Sequence, residues 1–389
     1  EIMPSLVGSE MCIRDSLAAV TLTGGTTGAP KGVMLSNDGF NAIAFDFRHC
    51  GVSYKRGQRF LNIIPMFSSY GIVSSLHMPL SLGLEVVIIP KFDQDKVGYY
   101  VKKYRPEHTL LVPAHYEKLM NSKEMAGGFD LSFFRTAGSG GDTMNAGLEA
   151  KLNSFLESRG CRYPLSQGYG MSEVSSAASC CCNGNFKSLS VGYPLLTTTI
   201  GIFEPGTDKE LGYGEEGEIC ISGPSIMLGY LNNKAETENV IRRHADGELW
   251  VHSGDIGHMD SDGFVYIKGR IKRMITLFNG HKIFPTHIES VLGRHPLVSS
   301  CAVVGVNDTT HAQGELTLAV IETQEASLEK RIAIKNELYE MCRQELEGPA
   351  KPHDMIFTDS MPHTGMGKID YLKLAEDYNN ENKNETEAV

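Results

Sequence analysis

Apolar positions follow two rhythms along the first half of the chain. Leu17–Thr23, Phe60–Pro65, Glu85–Pro90 and Thr109–Val112 are short apolar runs that suit strands, while Asn37–Cys50, Val97–Tyr104 and a stretch from about Ala114 read as helices. Helices and strands in this order predict an α/β layered domain with at least one mainly parallel sheet, since parallel neighbours need long crossovers. Between Tyr193 and Ile267 the rhythm changes. Short strands at Thr197–Phe203, Glu218–Ser222 and Phe264–Ile267 are divided by glycine turns, which predicts a β-rich subdomain. After Gly269-Arg270-Ile271-Lys272, the expected boundary, come a hairpin, a helix near Thr286–Arg294 and strands at Ser299–Val306 and Glu315–Glu322. A long helix at Leu328–Glu347 completes a compact α+β unit. The expected division is a large α/β domain over 17–268, a hinge at 269–272, and a small C-terminal domain over 273–376. Residues 377–389 are polar with almost no apolar anchors, and are expected to be disordered. Residues 1–16 show no period and resemble translated adapter sequence. They are set aside as a leader, and the chain is expected to be a fragment.

Charge and cysteine usage narrow the function. With 36 Lys+Arg against 47 Asp+Glu, the net charge is −11. That argues against a general nucleic-acid or anionic-membrane binder, because both need a basic face. The most apolar stretch, Ile72–Pro90, is interrupted by His77, Pro79 and Glu85, short of the roughly 20 apolar residues that span a bilayer. Nine cysteines include no C-x-x-C pair, and the consecutive Cys180, Cys181 and Cys182 cannot easily all ligate one tetrahedral metal. Reduced, structural thiols in a cytoplasmic protein are the expectation. His49, His77 and His115 lack the pairing a general base would need.

The sharpest local signal is TGGTTGAPKGV, Thr23 to Val33. Its glycines let backbone N–H groups turn toward a ligand, Thr26 and Thr27 add hydroxyls, and Lys31 adds a point charge, a combination suited to phosphate. It is not a Walker A loop, whose lysine directly follows a glycine, and Pro30 blocks the smooth helix entry of that motif. Five further blocks follow in order: QGYGMSE (Gln167–Glu173), GEICISGPSIMLGY (Gly217–Tyr230), HSGDIG (His252–Gly257), GRIKRMI (Gly269–Ile275) and PHTGMGKID (Pro362–Asp370). Together they resemble the adenylate-forming superfamily of acyl-CoA synthetases, luciferases and peptide-synthetase adenylation domains, over nearly all of Leu17 to Ala375.

The resemblance implies a large multi-layer adenylating domain, truncated at its N-terminus, and a small C-terminal lid. It implies a carboxylic acid–coenzyme A ligase working through an acyl-adenylate, with ATP, Mg²⁺ and coenzyme A as reactants. ATP contacts would come from Thr23, Gly25, Thr26, Thr27, Gly28, Lys31, Gly170 and Ser172, with Glu173 ligating Mg²⁺ between phosphate oxygens. Tyr169 would stack on adenine, with Gly141 and Asp142 near its edge. Asp255 would accept from both ribose hydroxyls, and Arg270 would sit near ribose or phosphate. Lys368 would reach the reacting carboxylate and α-phosphate once the lid closes, pivoting at Lys272. Asn279 and Gly280 would face coenzyme A after rotation. Phe67, Ser68 and Gly71 are the nameable candidates for the acyl pocket.

Departures from the pattern matter. Pro65-Met66-Phe67-Ser68 stands where many acyl-CoA synthetases read P-x-F-H, and Ser68 replaces the Asp that amino-acid-activating domains use, which disfavours an α-amino acid. Ser172 and Ser253 replace threonines, and His287 replaces a usual glutamate while Glu289 is kept. Missing N-terminal elements would expose their apolar partners. A carrier-protein thiol in place of coenzyme A is the alternative within enzymes. A nonfunctional fragment that at most binds nucleotide is the alternative of another class.

Overall fold

The computed structural model describes residues 16–23, 31–182, 184–308, 311, 314–346, 348–362 and 369–387. The chain opens on an antiparallel hairpin, β1 (Leu17–Thr23) against β2 (Lys31–Ser36), in which Thr23 faces Lys31 across the pair. Helix α1 (Asn37–His49) starts at once because Ser36 caps it, its Oγ accepting from the Gly39 amide at 3.0 Å. Next come β3 (Arg59–Asn62), a π-helical segment (Tyr70–His77) that runs into α2 (Met78–Ser81), β4 (Glu85–Ile88), and α3 (Val97–Tyr104). They are followed by β5 (His108–Leu111), α4 (Pro113–Met120), β6 (Thr136–Ser139), α5 (Ala146–Ser158) and β7 (Ser166–Tyr169). Strands β8 (Ser179–Cys180) and β9 (Tyr193–Pro194) complete a seven-stranded sheet in the order β4-β3-β5-β6-β7-β8-β9. Its first five strands run parallel and the last two antiparallel.

This sheet is buried on both faces. The neighbours Phe60 and Leu61 on β3 point to opposite sides, as the two-residue period of a strand requires. Phe60 joins Val33, Leu35, Ile43 and Met78, whereas Leu61 joins Leu111, Leu119, Leu152 and Leu156. A parallel sheet covered twice is the outcome the alternating pattern predicts.

The β-rich region holds β10 (Thr199–Phe203), β11 (Gly217–Ser222), β12 (Gly229–Tyr230), α6 (Lys234–Val240), β13 (Ile241–Arg243), β14 (Leu249–Met259) and β15 (Val265–Arg270). Five of these strands form an antiparallel sheet in the order β10-β11-β14-β13, with β15 also on β14. Strand β12 leaves that sheet and pairs with β2, Tyr230 opposite Val33. It thereby stitches the β-rich region to the opening hairpin.

The last unit contains β16 (Ile275–Thr276), β17 (Lys282–Ile283), α7 (Pro285–Leu292), β18 (Ser300–Asn307), β19 (Glu315–Glu322), α8 (Leu328–Glu345), β20 (Asp354–Thr358) and α9 (Tyr371–Glu387). Its core gathers Ile288, Leu292, Ile321 and Leu338. Helix α9 corrects the expectation of disorder from residue 377. Asp370 starts it by accepting from the Lys373 amide at 3.1 Å, and Tyr371, Leu374 and Tyr378 pack with Val304, Val306 and Leu318. Tyr371 and Leu374 lie just before the polar stretch and Tyr378 at its start, and a helix once nucleated extends at little cost. Asn379 Oδ1 also accepts from the Asn307 amide at 3.0 Å. Among the described residues no helix is long and apolar enough to cross a membrane.

The chain has one tryptophan, Trp250, which lies on β14 and reports on the β-rich sheet. Ile221, fully buried on the neighbouring β11, packs in that sheet's core. Ile221→Ala is expected to lower stability by about 2–5 kcal/mol, through lost transfer free energy and the cavity left behind. Urea titration followed by Trp250 fluorescence measures it, and a loss below about 1 kcal/mol would contradict this placement.

Candidate active site

The site forms where three elements end close together. Lys31, the first residue of β2, pairs through Nζ with Glu236 in the first turn of α6, and lies 4.8 Å from the centre of the Tyr230 ring. The Tyr230 hydroxyl donates to Glu173 Oε1 at 2.6 Å. Glu173 is buried, in a single 3₁₀ turn (Ser172–Val174) after β7, and its backbone carbonyl accepts from the Met227 amide at 2.9 Å. Ser172 Oγ accepts from Ser69 Oγ at 3.1 Å. Gly170 is a necessity of close packing, since a Cβ there would sit 2.0 Å from the Ser176 carbonyl oxygen.

A second group adjoins the first. The Tyr169 hydroxyl donates to Asp255 Oδ2 at 2.7 Å, and Arg270 Nε donates to Asp255 Oδ1 at 2.8 Å. Burial, then the Asp255 charge, push the Tyr169 hydroxyl far above its ordinary range. Asp255 in turn raises the Arg270 guanidinium, and Glu173 acts on it in the same direction. The Lys31–Glu236 pair meets a further charge from Lys272, which with Lys31 helps hold the Glu236 carboxyl low. Thus Lys31, Glu173, Tyr169, Asp255 and Arg270, dispersed through the sequence, form one electrostatic neighbourhood.

The turn carrying Asp255 is braced from behind. Gly254 N donates to Glu218 Oε1 at 3.0 Å, and His252 Nδ1 lies 2.9 Å from Glu218 Oε2. His252 Nε2 meets His244 Nε2 at 3.0 Å. Ser253 Oγ donates to the Ile219 carbonyl at 2.6 Å and accepts from the Asp255 amide at 3.0 Å. Both contacts need only the hydroxyl, which serine and threonine share.

Other sequence-predicted residues are placed differently. Thr23 is paired with Lys31 where β1 ends and β2 begins, while Gly25, Thr26, Thr27, Gly28 and Lys368 lie outside the described residues. Gly141 adopts a φ of 79° beside the Tyr70 ring. Asp142 exerts its charge on Glu289 and Tyr371 of the last unit. Asn279 and Gly280 form the exposed turn between β16 and β17, with open space around the position of a Gly280 Cβ. Ser68 Oγ donates to the Pro65 carbonyl at 2.8 Å and accepts from the Gly71 amide at 3.1 Å. A Cβ on Gly71 would sit 2.1 Å from that same carbonyl oxygen, so its missing side chain makes room for backbone, and Phe67 is exposed. The contacts of these three residues are those of a turn.

Sequence reasoning passed over Tyr230, Glu236, Glu218 and His252. Tyr230 closes a quoted block, so a signal existed; Glu236 stands in an ordinary charged helix start and carried none. Glu173 suits a hard cation, since it is a buried carboxylate whose hydrogen-bond partner is a neutral hydroxyl, and Mg²⁺ prefers oxygen ligands.

Residues 7–231 match the family model described as AMP-binding enzyme, and residues 287–368 match the AMP-binding enzyme C-terminal domain. The chain belongs to the AMP-binding, adenylate-forming enzymes. It is 33% identical over 317 residues to a probable 4-coumarate–CoA ligase 1 from Dictyostelium discoideum, covering 81% of this chain and 56% of the relative. Against a long-chain-fatty-acid–CoA ligase from Bacillus subtilis (strain 168) it is 31% identical over 367 residues, covering 93% and 62%. The chain therefore spans about three fifths of the length of these relatives. It is also similar to the solved structure of O-succinylbenzoate coenzyme A synthetase from Bacillus subtilis in complex with ATP and magnesium ion. The TM-score there is 0.77 at 25% identity, covering 93% of this chain and 70% of that one.

The brace predicts an acid signature. Burial pushes the Glu218 carboxyl up, but the hydrogen bonds from His252 and the Gly254 amide outweigh it and hold it below its ordinary value. A carboxylate depressed in the fold stabilises it above its unfolded value of about 4.3, and that contribution fades as pH falls through the folded value. Glu218→Gln is expected to flatten the decline of stability below about pH 4.5. Urea midpoints across that range, read by Trp250 fluorescence, measure it; parallel profiles for the two proteins would contradict the brace.

Proposed function

We propose that this chain carries the adenylating site of a carboxylic acid–coenzyme A ligase. The carboxylate oxygen of the acid attacks the α-phosphorus of ATP, and pyrophosphate leaves with the bonding electron pair. The coenzyme A thiol then loses its proton, its sulfur attacks the acyl carbon, and AMP departs to leave the thioester. The single observation that carries this reading is the convergence of Lys31, Tyr230 and Glu173 on the Tyr169–Asp255–Arg270 group. The names of the relatives support it. One specifies an aromatic acid and the other a long-chain fatty acid, so the substrate class they share is a carboxylic acid.

The first step gathers negative charge, so fixed cations and aligned donors serve it better than a nucleophile of the protein. Lys31 would exchange Glu236 for the β- and γ-phosphates, assisted by Thr26 and Thr27. Magnesium, when bound, would supply charge neutralisation for the phosphates. Glu173 would hold it, and the Tyr230 hydroxyl on Oε1 fixes how that carboxylate presents itself. Each oxygen of Asp255 keeps a further lone pair for a ribose hydroxyl after accepting from Tyr169 and Arg270.

Alternation between the two steps is assigned to Lys272. Just beyond it, Arg273 donates to the half-buried Glu289 at 2.5 Å and lies over the Tyr371 ring, so the last unit is anchored from that point. Lys272 itself is exposed, in a short 3₁₀ turn (Ile271–Arg273). Rotation at that point would withdraw Lys368 and present the Asn279-Gly280 turn, whose open surroundings leave room for a thiol arm.

The test is acid-dependent pyrophosphate release from ATP, with coenzyme A or a carrier-protein thiol then offered as acceptor. Thioester on the carrier alone would replace the coenzyme A reading, and no acid-dependent release with any acid would overturn adenylation. Glu173→Gln is expected to raise the Mg²⁺ requirement, and Asp255→Asn to weaken ATP binding, both read by calorimetric titration; unchanged values in both would remove these assignments. Lys368→Ala is expected to slow adenylation about a hundredfold, on the order of 3 kcal/mol, and to spare thioester formation from supplied acyl-adenylate. Lys272→Pro should do the reverse by freezing the hinge, as rapid-quench measurement of the two half-reactions would show.

A further inference from the structure

Cys50, Cys180 and Cys182 come together although 130 residues separate the first from the second. Their sulfur atoms all lie within 4.8 Å of one another, and Cys180 Sγ is 3.4 Å from Cys182 Sγ. The arrangement follows from elementary geometry. Alternate residues of an extended chain share a side, so Cys180 and Cys182 face one way while Cys181 turns to the opposite side, toward Ser190. Cys50 is the residue that ends α1, and it arrives on the side of the pair. Consecutive cysteines cannot all hold one ion, but every second one can, with a third from elsewhere.

The cluster has the other properties of a metal site. Its frame is stiff: Gly192 lies so close behind Cys180 that a Cβ there would be 1.9 Å from the Cys180 carbonyl carbon, and Cys182 is bridged to Asn185. All three residues are partly exposed, so an ion has a way in. The eight described cysteines are free thiols, and only these three gather. Three sulfurs at a Zn–S distance of about 2.3 Å stand roughly 3.8 Å apart in a tetrahedron, within a small adjustment of what is observed.

We propose that Cys50, Cys180 and Cys182 form a thiolate site for zinc, with the fourth position taken by water. Binding replaces three S–H protons by three Zn–S bonds, releasing the protons to solvent, so no oxidant or reductant is involved. Thiolate ligands favour zinc over the magnesium that Glu173 would hold, so the two ions do not compete. The site ties the end of α1 to β8, where Cys180 is opposite Gly168 and next to the Ser179–Tyr169 pair. An ion bound there would brace the strand pair β7–β8, which carries Tyr169.

The test uses the full chain, untagged, reduced and stripped with a chelator. Cobalt(II) is expected to bind one per chain with a thiolate-to-metal absorption band in the near ultraviolet, zinc to displace it, and zinc to raise the thermal midpoint. Cys50→Ser and Cys182→Ser should abolish the band, while Cys181→Ser and Cys220→Ser keep it. In the unaltered chain, zinc should slow alkylation of Cys50, Cys180 and Cys182 but leave Cys161 unchanged, a readout independent of whether the variants fold. Retention of the band in Cys50→Ser, less than one ion per chain, or alkylation of the three thiols indifferent to zinc would each overturn the proposal.

Discussion

The hydrogen bond between Tyr169 and Asp255 is the contact on which the arrangement of the site depends. Tyr169 ends the last parallel strand of the central sheet, and Asp255 lies within the longest strand of the β-rich sheet. Their meeting sets the two sheets against each other at one point. Arg270 then balances the charge so formed, from the end of β15. A buried carboxylate without such partners would carry a heavy desolvation penalty. With them, it becomes a fixed acceptor in a place that a neutral side chain could not supply.

The same logic governs the layer behind. Glu218 is itself buried, and is tolerable there because His252 and the Gly254 amide both donate to it. Polar groups thus support polar groups behind the Asp255 turn, from the Gly254 amide through Glu218 to His252. Such a network is rigid because any one displacement leaves several groups unpaired. At Lys272, by contrast, the side chain is exposed in a short 3₁₀ turn.

Strand β12 has a comparable role for the phosphate side. Two residues suffice to pair Gly229 and Tyr230 with Met34 and Val33. This brings the Tyr230 ring to Lys31 and its hydroxyl to Glu173, so one side chain links the lysine to the buried carboxylate.

Much was legible in the residues themselves. Strand and helix types followed from period, and Glu315–Glu322 and Val97–Tyr104 fell where the pattern placed them. The candidate chemistry was legible too, because Lys31, Glu173, Asp255 and Arg270 sit in compact motifs whose residue types suit phosphate, cation and ribose. What only the tertiary structure decided is which groups meet. Glu236 on Lys31, Glu218 behind Gly254 and Cys50 beside Cys180 are pairings across many tens of residues, and no local period encodes them. The helix over Tyr371–Glu387 has the same origin: its sequence is polar, but three apolar side chains find a sheet to cover, and burial rather than propensity makes the helix. Local sequence sets the dihedral preferences and the chemistry of each side chain. The partners, and hence the charge and order of each group, come from long-range packing.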